Sequence, residues 1–262
     1  MTGTPLLSLR GISKHFGGVR AVDDVDLDVR PGELYGLIGP NGAGKTTLLD
    51  IVSGFQPPSS GSLHFDGAAV AGWPPHRLAA RGMARTFQTV RLFRNLTVME
   101  NVLVGMHPRR GDDTLGQVVM LPALRTRQRA RVAEGHDLLR QVALEGAADR
   151  LAGELAYADQ RRLEIARALA LQPKLLLLDE PAAGTNPAEG ANLQELLVQL
   201  NASGLAIVLV EHHLRLVMST CARVAVIDFG RKIADGPPAE VVREPAVVEA
   251  YLGREGAREL AT

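Results

Sequence analysis

The segment Gly39-Pro-Asn-Gly-Ala-Gly-Lys-Thr-Thr47 spaces Gly39, Gly44, Lys45 and Thr46 as Gly-x4-Gly-Lys-[Ser/Thr]. It follows the apolar run Leu34 to Gly39, so strand, glycine-rich loop and helix start come in the order a phosphate-cradling loop requires. Glycines at 39, 42 and 44 let backbone N–H groups curl around an anion, and the following helix turns its positive end towards it. Lys45 is expected to bring a point charge to the β- and γ-phosphates and Thr46 a hydroxyl ligand for magnesium. Asn41 and Thr47 of the same loop count with them as nucleotide contacts. Taken alone, the loop implies only that a nucleoside triphosphate binds.

The reaction is decided further along. Leu175-Leu-Leu-Leu-Asp179-Glu180 sets two carboxylates at the C-terminal end of a buried strand, where open α/β sheets place their ligands. Asp179 is expected to hold the magnesium, through water, and Glu180 to polarise the attacking water as general base. A pair that only capped the next helix would leave unexplained why four leucines run into adjacent carboxylates.

Two kinds of strand must carry these groups. In Asp24-Val-Asp-Leu-Asp-Val-Arg30, Val25, Leu27 and Val29 alternate with aspartates, the period of a half-buried strand, and Pro31-Gly32 stops it. Similar strands are expected around Leu7 and Leu9 and at Ser62–Gly67, where Asp66-Gly67 makes a turn; together they predict a small antiparallel subsheet. By contrast, 34–39, 175–179, 206–211 and 223–228 are apolar throughout, as in a parallel sheet covered by helices on both faces. From about 90 to 155 the pattern turns helical and Arg-rich, and this is expected to be an inserted lobe, its basic helix a solvated surface. Residues 106–113 form the best loop candidate.

Composition narrows the partners. In 262 residues, 29 Lys and Arg balance 29 Asp and Glu, so no global field draws the chain to nucleic acid or an anionic membrane. The apolar runs fall far below the ~18 residues of a membrane span. The N-terminus has no basic segment followed by a long apolar one, so no secretory signal is expected. The one cysteine, Cys221, excludes an internal disulfide and suits a reducing compartment.

With these motifs in order, the chain resembles the ATP-binding subunits of ABC transporters over nearly its whole length. The resemblance implies a P-loop NTPase core with a parallel sheet, an antiparallel β subdomain and an inserted α-helical subdomain. It is one domain over 1–262, with 1–90 plus 160–240 as the nucleotide-binding core, 90–160 as the helical lobe and 241–262 as a C-terminal helical tail. Phe16 in Lys14-His-Phe-Gly-Gly18 matches the family's adenine-stacking aromatic, with Val22 as the apolar ribose contact; simple core packing is the competing reading of Phe16. Gln88 matches the glutamine that touches magnesium and the attacking water while its loop contacts the membrane subunit. His212 matches the γ-phosphate histidine, in preference to the adjacent His213.

The family signature Leu-Ser-Gly-Gly-Gln aligns with Leu155-Ala-Tyr-Ala-Asp159, followed by a well-matched Gln160–Ala170 stretch. In the family this signature meets the γ-phosphate held by the opposite subunit, so Ala156, Tyr157, Ala158 and Asp159 would act in trans. Ala156 offers no hydroxyl, and Ala158 would cost about 1 kcal/mol were its backbone left-handed. Asp159 is expected to cap the helix but, as an anion, does not recruit phosphate. The chain's own site thus reads as complete and its lent signature as weak, which favours a heterodimer over a homodimer.

Glu180-Pro-Ala-Ala-Gly-Thr-Asn-Pro187, with Asn186 where most of the family has aspartate, and the tail Ala239–Gly253 resemble importers of branched-chain and other hydrophobic amino acids. That implies ATP and magnesium as cofactors, integral-membrane permeases and a second ATPase subunit as partners, and indirectly a substrate-binding protein. The expected place is peripheral, on the cytoplasmic face of the inner membrane. The alternatives are an ABC ATPase serving a lipid or polysaccharide transporter, or a non-transport ABC regulatory module. Neutral charge and the single uninterrupted cassette weigh against the latter and against nucleic acid. A GTPase is disfavoured by the missing Asn-Lys-x-Asp motif, and a kinase by Glu180.

Overall fold

The computed structural model describes residues 4–106, 122–212 and 214–251. The loop expected at 106–113, apart from Met106, lies outside them, as do His213 and the end of the C-terminal tail.

Two compact units emerge. The first joins residues 1–85 to 174–262, and the second is residues 86–173. The boundaries differ from those read in the sequence: the long helix after the signature, drawn at 160 into the core, falls in the second unit, because its apolar face packs among the lobe's own helices.

In the first unit, β1 (Leu7–Phe16) pairs antiparallel with β2 (Val19–Val29) and with β4 (Ser60–Phe65), and β5 (Ala68–Ala69) closes a four-stranded sheet in the order β2-β1-β4-β5. The strand expected at 24–30 extends back to Val19; Val25, Leu27 and Val29 are buried as the alternation requires, and a bulge at Asp24 (φ 57°) interrupts it towards the N-terminus. The turn after β4 uses Asp66 at φ 49° and Gly67 at φ 76°, the left-handed pair that reverses two strands tightly.

The second sheet of this unit has the order β10-β9-β3-β8-β7-β6. Its strands β3 (Leu34–Ile38), β7 (Leu175–Asp179) and β8 (Ala206–Val210) are buried at every residue, as all-apolar strands covered on both faces must be. With β9 (Arg223–Asp228) and β6 (Met83–Arg85) they run parallel, and β10 (Arg231–Gly236) adds an antiparallel edge. One apolar core, including Leu9, Phe65, Tyr35, Leu177 and Ile227, is shared by both sheets. Helices α1 (Lys45–Val52), α2 (Pro75–Arg81), α6 (Pro187–Ala202), α7 (Leu214–Thr220) and α8 (Pro238–Val241) complete the unit.

The second unit is helical: α3 (Val98–Gly105), α4 (Pro122–Gln141) and α5 (Tyr157–Leu169) pack on one another. Thr97 and Glu100 form a capping box at the start of α3. A Cβ on Gly105 would lie 2.3 Å from the Arg167 carbonyl, so only glycine lets α3 approach α5 this closely. Arg129 and Arg140 of the basic α4 are exposed, as a solvated face requires.

Candidate functional site

The loop between β3 and α1 is held by backbone on two sides. A Cβ on Gly39 would stand 2.0 Å from the Ile227 carbonyl, and one on Gly44 would stand 2.3 Å from that of Ala21. Gly42 is needed for a different reason: its surroundings are open, but its φ is 78°. Two of the three glycines therefore fit the loop against β9 and β2, while the third shapes its exposed turn. Asn41, Gly42 and Thr46 are exposed and Thr47 is half-buried.

Lys45 is the first residue of α1 and is buried, with its ammonium donating to the Gly39 and Pro40 carbonyls at 2.6 and 2.9 Å. Burial pulls its pKa down, and the nearby Glu180 and Asp179 charges pull it back up. It is thus curled over the loop's own carbonyls, at the start of a helix whose N-cap, Gly44, supplies no side-chain acceptor. That cradle fits a phosphate.

Asp179 ends β7 and is almost wholly buried; burial raises its pKa, which the Arg85 guanidinium opposes. Glu180 leaves the strand at φ 47°, a conformation costing of order 1–3 kcal/mol for a non-glycine residue. Its N–H donates to the Val210 carbonyl at 2.9 Å, which ties the bend to β8. Just beyond β8, His212 sets Nδ1 3.8 Å from Glu180 Oε2, too far for a direct hydrogen bond but close enough to interact electrically. Lys45, Thr46, Asp179, Glu180 and His212 thus come from the C-terminal ends of three neighbouring strands, β3, β7 and β8, in one unit.

Glu211 is a residue that the sequence reading did not single out. It is fully buried, accepts from the Ala182 N–H at 2.8 Å and from the His212 N–H at 3.3 Å, and so links the turn after Glu180 to the histidine's backbone. Its place directly between Val210, the last residue of β8, and His212 was the available signal.

Two expectations about the base and ribose contacts divide. Phe16 is 48 % exposed at the end of β1, with the Lys14 ammonium 5.1 Å from its ring centre, so the core-packing reading is wrong. Val22 is 1 % exposed and lies in the shared core, because a bulge at Asp24 (φ 57°) shifts the register of β2 against β1 and turns Val22 to the same face as Val25.

In the second unit, Gln88 is exposed, and its carbonyl accepts a short hydrogen bond from the Arg161 guanidinium, which also donates to the Phe87 carbonyl at 2.6 Å and the Tyr157 hydroxyl at 2.9 Å. Arg161, buried on α5, thereby braces the Gln88 segment against the signature helix. The signature itself needs two corrections. Ala158 lies within α5 and has no left-handed backbone, so the expected strain is absent. Asp159 does not cap the helix: the N-cap is Ala156, with no side-chain hydrogen bond, and Asp159 sits in the first turn, 3.6 Å from Arg162. Three residues after the cap, its carboxylate points along the helix surface towards i+3 rather than back to the first amides.

Residues 22–183 match the family described as ABC transporter, and residues 231–257 match a second one, described as branched-chain amino acid ATP-binding cassette transporter. The chain belongs to the ABC transporter family. The cassette is 42% identical, over 95% of its length and 98% of the relative's, to the high-affinity branched-chain amino acid transport ATP-binding protein BraF of Pseudomonas aeruginosa. It is 34% identical, over 95% of its length and 98% of the relative's, to the lipopolysaccharide export system ATP-binding protein LptB of Escherichia coli. Among solved structures, the ADP conformation of an ATP-binding cassette superposes with a TM-score of 0.83 at 30% identity, covering 96% of this chain and all (100%) of that one. A dimeric cassette in a post-hydrolysis state, bound to ADP and Pi, gives 0.75 at 25% identity, covering 88% and 98%.

Proposed function

We propose that this cassette hydrolyses ATP on the cytoplasmic face of the inner membrane to drive a separate permease that imports branched-chain or other hydrophobic amino acids. What carries the substrate class is the separate match of residues 231–257 to the branched-chain amino acid cassette family, together with the higher identity to BraF than to LptB. The polysaccharide or lipid transporter remains the second reading, favoured only by the 34% identity to LptB.

The chemistry follows from the side chains. Lys45 exchanges its loop carbonyls for the β- and γ-phosphates, and the buried site makes that charge count for more than it would in water. Phe16 offers a ring face for the adenine. Thr46 and Asp179 would hold magnesium with hard oxygen donors, as that ion prefers. When bound, the ion neutralises charge on the phosphate oxygens. Glu180 takes the proton of the attacking water, its bent backbone fixing the direction from which it reaches, and His212 steadies the γ-phosphate. By the family resemblance, Gln88 is assigned the contact with magnesium and the attacking water, and its loop the transmission of the nucleotide state to the permease.

A second ATPase subunit closes the site. The uncapped N-terminus of α5 leaves its first amides for the partner's phosphate, but Ala156 adds no hydroxyl, which supports a heterodimer whose other member brings the stronger signature. No helix among the described residues is long and apolar enough to cross a membrane, so attachment is through the permease. The test is co-expression with candidate amino-acid permeases, followed by ATPase assay in proteoliposomes with binding protein and amino acid. Stimulation by leucine or a similar amino acid is expected; stimulation by a lipid or glycan partner instead would overturn the assignment.

A further inference from the structure

Arg85 closes the short edge strand β6, three residues before Gln88, and its side chain is only 6% exposed. Its two terminal nitrogens go separate ways. One donates to Asp50 Oδ1 at 2.6 Å and to Ser53 Oγ at 2.7 Å, both on or just after α1. The other donates to Asp179 Oδ2 at 3.0 Å. The register explains the reach: Arg85 pairs with Leu177 on β7, and Asp179 is two residues on, so it shares that face of the sheet. Ser53 in turn donates to the Leu49 carbonyl at 2.6 Å, which leaves its oxygen to accept from Arg85. The Phe55 ring, 5.5 Å away, covers the guanidinium.

Two of the proposed protein ligands of magnesium sit on the two elements this fork joins. Thr46 is in the first turn of α1, and Asp179 ends β7. An ion gripped by both needs their oxygens at a set separation, and magnesium tolerates little error in that geometry. We infer that Arg85 is a positioning residue for the metal: its split guanidinium locks α1 to β7 and aims one Asp179 oxygen, leaving the other for the ion or its water. A lysine would supply the charge but not the planar fork, so it could serve only one arm.

This inference rests on the reading of Thr46 and Asp179 as the metal's ligands. Manganese stands in for magnesium, and free Mn2+ is followed by electron paramagnetic resonance over the protein with saturating ADP; metal-free ADP affinity is measured separately. Arg85→Met should weaken Mn2+ binding about tenfold, the usual loss for an outer-shell partner, while metal-free ADP affinity, which depends on Lys45 and the loop amides, stays within about twofold. Arg85→Lys should recover only part of the loss. Because Arg85→Met strands a buried Asp179 and can unfold the chain, Asp50→Asn is the companion: it removes one partly exposed arm and should weaken Mn2+ about threefold. Unchanged Mn2+ affinity in a folded Arg85→Met or in Asp50→Asn, or an equal loss of metal-free ADP affinity, overturns the inference. Asp179→Asn separates the two failures: if it abolishes Mn2+ binding while the Arg85 and Asp50 variants do not alter it, only the role of Arg85 falls; if it too has no effect, the ligand reading falls.

Discussion

Glu180 is the residue on which the hydrolytic reading is most exposed to test. Its carboxylate is expected to handle the proton of water without gripping the nucleotide, so binding and turnover should separate. Glu180→Gln keeps the side-chain shape and the positive φ of 47°; it should lower ATP turnover by at least about 100-fold, the usual worth of a general base, and leave ATP affinity intact by equilibrium binding. Turnover equal to wild type would remove Glu180 from the mechanism. At this scale much was legible beforehand: Lys45, Asp179, Glu180 and His212 stand in local motifs, each within a few residues of a strand end. The burial of Val22 was not legible, because strict alternation from Val25, Leu27 and Val29 would turn it outward and only the bulge at Asp24 in the pairing with β1 turns it inward. Arg85 and Arg161 were missed because an arginine's partners, two carboxylates in one case and two carbonyls in the other, lie on distant parts of the chain.

The elements that carry these residues differ in how plainly they announce themselves. Strands β3, β7, β8 and β9 read directly as apolar runs. Strands β6 and β10 did not: β6 has three residues, and β10 reads Arg-Lys-Ile-Ala-Asp-Gly, with no buried face to impose a period. Helix α5 carries the sharpest element-scale consequence. With Ala158 helical, Ala158→Gly relieves no strain and instead weakens the first turn, so chemical unfolding should show a loss of up to about 1 kcal/mol, with no rise in the ATPase rate of the assembled pair. A faster pair of undiminished stability would return the signature to a strained conformation.

For the molecule as a whole, Cys221 provides a readout. The residue is 7 % exposed, and burial pushes its thiol pKa up to about 12, against about 8.5 in an unfolded chain. In mildly alkaline buffer the folded protein should therefore resist alkylation, and the labelling rate should follow the population of opened molecules. ATP with magnesium at one hundred times its dissociation constant should slow labelling by about 100-fold through mass action on the folded state. Labelling indifferent to ATP would show that the end of α7 opens by itself, without disturbing the nucleotide site.

By itself, the sequence determined the chemistry: a phosphate loop, a pair of carboxylates and a histidine are each written within a few consecutive residues, and short-range order suffices to place them on strand ends. Only the tertiary structure decided how those ends are held in register. The contact from Arg85 to Asp179 spans 94 residues of chain, and that from Arg161 to Phe87 spans 74. Such bonds exist because sheet order and helix packing bring distant segments together, and no spacing along the chain encodes that order.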